Sequence, residues 1–232
     1  MKKVKISLYL AAFGLSLLTW GCNINPTVDK EDQAFENQDM PEEGMTFSGN
    51  QLKDLNQSDI HFSAAVKAFE NYRTAEVVRE INLGIDALIN EGSSLEGEPK
   101  TRLMKDINHL EAISVEIENG SFKDIVKLQD ALAAAEMAVA HEYASDMNVY
   151  SIKVPLPDNY YPHYKAALKA IMGAQKRMHG SAKKEAQKLL AESSKLLDRM
   201  DEGEKITEQE VRDQKAKMDA FLQANYHPSQ SM

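Results

Sequence analysis

One cysteine, Cys22, stands in 232 residues, so no internal disulfide can staple the chain and no pair of thiols can hold a metal or a covalent haem. Positive charge is also scarce. Lys and Arg total 27 against 36 Asp and Glu, a formal net charge of -9. That balance argues against nucleic acid or anionic lipid as a partner, because phosphate binding needs clustered cations. Long apolar runs are missing as well. The longest, Ile6–Leu18, is short of the roughly 20 residues a helix needs to cross about 30 Å of hydrocarbon. Neither a Gly-rich phosphate loop nor a Gly-x-Ser-x-Gly nucleophile turn occurs. Alternating strand patterns are nearly absent. The one candidate, Val149–Val154, has nothing to pair with and reads as loop.

What is present begins with Lys2, Lys3 and Lys5 ahead of the short apolar run, the layout of a secretory signal. It ends in Leu18-Thr19-Trp20-Gly21-Cys22. This segment resembles the lipobox of bacterial lipoproteins, in which a small residue precedes a cysteine that is acylated and becomes the new N-terminus. The resemblance implies cleavage after Gly21 and lipid, palmitate included, on Cys22. Thr19 and Trp20 depart from the pattern, which prefers an aliphatic and a small residue there. The alternative is a plain signal peptide with an incidental cysteine, but that leaves a lone exported thiol unexplained. Several acyl chains on one residue would anchor stably, each buried methylene contributing about 0.8 kcal/mol. Asn23, where aspartate tends to mark inner-membrane retention, favours the outer membrane by the same resemblance.

Loss of Lys2, Lys3 and Lys5 with residues 1–21 would take the formal charge from -9 to -12. Residues 22–58 read as an acidic tether. Asp29, Glu31, Asp32, Glu36, Asp39, Glu42, Glu43 and Asp54 stand against Lys30 and Lys53, with few aliphatics and with Pro26, Pro41, Gly44 and Gly49. Such a composition cannot bury enough apolar area to offset its ordering entropy. Residues 59–227 have the size of one domain, and 228–232 read as a disordered tail.

Across 59–227 apolar residues recur at helical spacing. The expected fold is all-α, an antiparallel bundle of five to six helices. The first helix is expected to be long, with one stripe running from Ile60 through Ala64, Ala68, Tyr72, Val78, Ile81 and Ile85 to Ile89, a cap at Ser58 or Asp59, and Gly92 in a left-handed stop. A second starts near Pro99 and ends at Asn119-Gly120, and Ser121 caps a third, in which the alanines of 131–140 imply close helix approach. A fourth spans about Tyr160–Met178 and a fifth starts at Ser181. The sixth opens on the capping box Thr207-Glu208-Gln209-Glu210. Asn119-Gly120-Ser121-Phe122-Lys123 and His179-Gly180-Ser181-Ala182-Lys183 each make a tight hairpin between antiparallel neighbours. Such helix–Gly–helix units, separated by a proline-containing crossover, resemble the YfdX-like stress proteins of bacterial envelopes over about residues 100–200. The resemblance implies a helical fold and an envelope-stress role, and assigns no residue.

Chemical constellations are thin. Asp106 and His109 lie three apart on one helix, the spacing used in pairs by di-iron bundles, but no second pair exists, and the two read as solvated. The six histidines show no zinc spacing. Methionine at helical spacing reads as core filler, with a Met/His-held haem as the alternative. Carboxylates such as Glu76, Glu80, Asp198 and Glu202 read as solvated helix faces. The most unusual stretch is 149–164, VYSIKVPLPDNYYPHY, which concentrates Tyr150, Tyr160, Tyr161, His163 and Tyr164 with three prolines at one connection. Rings with polar tips suit a recognition surface, and long loops are often functional. The expected function is a lipid-anchored, non-enzymatic envelope protein that binds a protein or a small ligand without cofactor, metal or nucleic acid. The alternative from another class is a metal- or haem-binding bundle with redox, storage or envelope-stress use.

Overall fold

Seven α-helices and one 3-10 turn make up the ordered elements of the computed structural model, which describes residues 55–149 and 152–226. The helices are α1 (Gln57–Glu70), α2 (Thr74–Glu91), α3 (Gly97–Glu118), α4 (Ile125–Asp146), α5 (Tyr160–Arg177), α6 (Gly180–Asp201) and α7 (Glu208–Asn225), with the turn Met147–Val149 after α4. The architecture is all-α, with helix packed on helix and no strand among the described residues. No helix of the described residues is long and apolar enough to cross a membrane. Gly21, Cys22, the acidic segment up to Asp54, Tyr150 and the tail from His227 lie outside the described residues.

The expected long first helix is two helices folded back on each other. The break falls at Asn71–Arg73, where Tyr72 adopts φ 58°, left-handed for a non-glycine residue, and stands 92% exposed. Asn71 helps close α1 by donating its side-chain amide to Lys67 O, 2.7 Å away. Antiparallel pairing of α1 and α2 then matches Ser58 with Glu91, His61 with Glu80, and Phe62 with Gly84. The Phe62 ring fills the space a side chain at 84 would need: a Cβ there would lie 2.2 Å from Phe62 Cε1. This fold-back rotates α1 relative to the single stripe. Ile60 and Ile89 become about 40% exposed, while Ser58 and Asp59 go inside. Neither of those two caps the helix. The cap position is Asn56, without a side-chain bond, and the first turn is served from α2, where Glu91 accepts from Ser58 N at 3.0 Å and Ser58 Oγ at 2.7 Å. Gly92 closes α2 with φ -87°, not in the left-handed region.

The remaining elements follow local sequence closely. Asp124, rather than Ser121, caps α4, accepting from Val126 N and Lys127 N, while Ser121 Oγ donates back to Glu116 O. The Thr207–Glu210 capping box is present in full. The chain thus forms three helical hairpins, α1/α2, α3/α4 and α5/α6, with α7 packed on α6 and α4. The most extensive packing joins α4 and α5. Ala131, Ala135 and Ala138 on one, and Ala167, Ala170 and Ala174 on the other, are buried and small enough to let the axes approach. Phe62, Ile81, Leu88, Leu110, Leu132, Met137, Tyr160 and Tyr164 are the bulky side chains of the core.

Candidate functional site

Two of the four tyrosines and histidines described in the aromatic stretch, Tyr160 and Tyr164, face the core rather than solvent. Tyr160 and Tyr164 are one turn apart at the start of α5, only 1% exposed, and their rings stack at 6.2 Å between centroids. Burial pushes the Tyr160 hydroxyl up to about 12. Tyr161 and His163 are half-buried and fasten this turn to its neighbours. The Tyr161 hydroxyl donates to the Asp201 carboxylate at the end of α6, and His163 Nδ1 lies 2.9 Å from Asp146 Oδ2 at the end of α4. Tyr160 and Tyr164 are therefore core, because the first turn of α5 is seated inside the bundle rather than across its end.

Several carboxylates read as solvated are inside. The largest such cluster lies where α1 meets α4 and α5. Arg177, 3% exposed, spreads its guanidinium over four partners. Nη1 donates to Glu136 Oε2 and Gly173 O, both 2.8 Å away. Nη2 donates to Asp59 O at 2.8 Å and to Asp59 Oδ1 and Ser63 Oγ at 3.0 Å. Lys176 adds a 2.7 Å bond to Asp59 Oδ2. Glu136 Oε1 finds no protein hydrogen-bond partner. Burial raises Glu136 to about 8; Arg177 pulls it down, but its charge is shared with Asp59, and Asp59 and Glu91 push it back up. A Cβ at Gly173 would meet Glu136 Oε1 at 2.4 Å, so the glycine makes room for the carboxylate. The cluster's core, Asp59, Glu136 and Arg177, is buried, and its bonds tie α1 to α4 and α5.

Surface depressions of similar size lie between α1 and α2, around His61, Asp86 and Asn90, and between α4 and α7. The latter, of about 430 Å³, is lined by His141, Ser145, Asn148, Asp219, Gln223 and Tyr226, with Ala144 and Leu222 at its apolar wall. Beneath the lining stand three buried charged residues, each bonded to side chains that face the depression. Glu142 on α4 is fully buried; it accepts from Arg102 Nε at 2.8 Å and Nη2 at 2.6 Å, and its Oε1 lies 3.0 Å from His141 Nδ1. Burial pushes its carboxyl up, but the hydrogen bonds with His141 and Arg102 outweigh that and hold it below the ordinary range. Asp106 on α3, also buried, accepts from the Tyr226 hydroxyl at 2.7 Å. Burial and this bond together raise the Tyr226 hydroxyl. Lys215 on α7, buried as well, donates to Asn148 Oδ1 at 2.7 Å and to both oxygens of Asp219 at 2.6 Å. The rings of His141 and Tyr226 lean together, 4.9 Å apart at 39°.

Burying a charge costs free energy even when it is paired, and replacing a buried pair with apolar residues is often neutral or stabilising. Three such charges lie next to one depression, and each is hydrogen-bonded to a side chain of its wall. The pair Asp106/His109 is thereby reassigned: Asp106 is buried and committed to Tyr226, not solvated. Glu80 likewise is buried, between His61 at 2.8 Å and Arg79 at 2.7 Å. Among the described residues, no group of three or more His, Cys, Asp or Glu side chains is placed to hold a metal ion. The residues that sequence reading missed share one signal. Asp106, Glu136, Glu142 and Lys215 are charged residues in phase with apolar stripes, as in Val211-x-x-x-Lys215-x-x-Met218.

The described residues form an all-helical bundle with a polar depression between α4 and α7 and a buried ionic cluster where α1 meets α4 and α5. No protein-family model matches the chain, nor does any curated protein or solved structure.

Proposed function

We propose that this chain is a lipid-anchored, non-enzymatic binding protein of the bacterial cell envelope, with its small-ligand site in the depression between α4 and α7. The observation that carries the binding half is the set of buried charges, Glu142, Asp106 and Lys215, that orient His141, Tyr226, Asn148 and Asp219 around that depression. The anchoring half rests on the signal-like leader and on Cys22 as the chain's single cysteine. The absence of aspartate after Cys22 favours the outer membrane. The acidic composition of residues 22–54, ahead of α1, suits a spacer that follows the lipid.

The binding half is tested by what travels with the protein. Protein purified from its own membranes is denatured, and the released small molecules are identified by mass spectrometry, beside a Ser145→Trp variant whose indole fills the depression. A compound present with the wild type and missing from the variant supports the reading. Identical extracts from the two sink it. Labelled palmitate incorporated by the wild type but not by Cys22→Ser supports the anchor, and label that survives the substitution removes it.

A further inference from the structure

We propose that the α4/α7 depression takes a neutral, hydroxyl-rich ligand, a saccharide. This rests on the reading of that depression as a binding site and adds the class of ligand. Two observations on the wall converge on it.

The first is the state of its charges. Asp219 already has an ammonium on both oxygens, from Lys215, and Glu142 already holds the Arg102 guanidinium in a two-pronged pair. A cationic ligand would have to compete with Lys215 for Asp219, and an anionic one would approach Asp219 without a free Lys or Arg to meet it. Either would lose hydration without a full exchange. A neutral ligand pays neither cost.

The second is the hydrogen-bonding capacity left over once these bonds are made. Asn148 gives its carbonyl oxygen to Lys215, which turns its two amide N–H donors to other use. Each Asp219 oxygen, with one lone pair taken, keeps another as acceptor. Gln223, exposed on α7, offers both an acceptor and donors. His141, with Nδ1 committed to Glu142, has Nε2 left. Donors and acceptors therefore stand together on the wall, beside the apolar side chains of Ala144 and Leu222. A sugar ring presents that same mixture: hydroxyls that both donate and accept around its edge, and C–H faces that pack on apolar side chains.

The test uses the full chain in detergent micelles and saturation-transfer NMR. The neutral probes are maltose, cellobiose and N,N'-diacetylchitobiose. Glucosamine and glucose 6-phosphate are their charged counterparts. At least one neutral disaccharide should bind, with both charged sugars weaker by about tenfold, since each brings an ion the wall cannot answer. Asn148→Ala and Gln223→Ala should each weaken that binding by about fivefold, the loss of one ordinary hydrogen bond. Both positions are exposed; Gln223→Ala should leave the thermal melt unchanged, and Asn148→Ala, which takes an acceptor from buried Lys215, should lower it while keeping one cooperative transition that shows the variant folded. Binding of a charged sugar as tight as the neutral ones overturns the proposal, as does disaccharide binding that neither variant weakens, or no binding of any neutral probe. The Ser145→Trp comparison separates the two levels. A charged compound lost from that variant would leave the site standing and remove the saccharide, whereas identical extracts would remove the site itself.

Discussion

Raising the pH from 5 toward 9 should loosen the junction of α1 with the bundle through Glu136. Its carboxyl is buried, and burial raises it from 4.5 to about 8. Below about pH 4.5 the folded and unfolded chains both hold this proton. Between there and about pH 8 the unfolded chain has released it and the folded chain has not, so folding loses ground with each unit of pH. The contribution is fully present below the unfolded value and is lost as pH rises through the folded one. The shift of about 3.5 units at about 1.4 kcal/mol per unit sets a ceiling near 5 kcal/mol. Glu136→Gln removes the titration and keeps an acceptor for Arg177 Nη1, so subtracting its profile from that of the wild type isolates this one group. Urea unfolding of both proteins at pH 5, 7 and 9 measures it. The wild type should lose about 2–5 kcal/mol relative to the variant across that range. Parallel profiles, or a wild type that gains on the variant as pH rises, would refute the reasoning.

Four other substitutions probe the packing and the hydrogen bonds next to the depression. Arg177→Met leaves Asp59 with Lys176 as its remaining cation and Glu136 without a donor, and should cost about 1–3 kcal/mol by urea unfolding at pH 7. Gly84→Ala drives a Cβ into the Phe62 ring and should cost about 1–3 kcal/mol, seen as a lower melting temperature. Thr207→Ala removes one half of the α7 capping box and should cost about 1 kcal/mol. Tyr226→Phe strips buried Asp106 of a hydrogen bond and should cost about 1–3 kcal/mol in the same assay.

The class of fold was legible because helix signals are local. Asn119-Gly120, His179-Gly180 and Thr207–Glu210 end or start helices through backbone geometry and caps that a few neighbouring residues decide. The break at Asn71–Arg73 carried no such mark. Its apolar spacing runs on across the turn, and what bends the chain is Phe62 finding the bare face of Gly84, a contact between residues in different helices. The site was hidden for a similar reason. Glu142 meets Arg102, Asp106 meets Tyr226 and Lys215 meets Asn148, all across distant stretches of sequence, so each looks like one more surface charge until its partner is seen. Their phase with the apolar stripes was the available clue. The clustered tyrosines misled in the opposite direction: Tyr160 and Tyr164 gather by helical spacing to fill the core.

A ligand held in the depression between α4 and α7 is the centre of the proposed function. A crystal structure of the full chain, isolated from its own membranes without stripping, measures this most directly. Density for a small organic molecule is expected there, within hydrogen-bonding distance of Asn148 and Gln223. Ordered solvent alone in the depression, with a ligand seated elsewhere on the bundle, would contradict it.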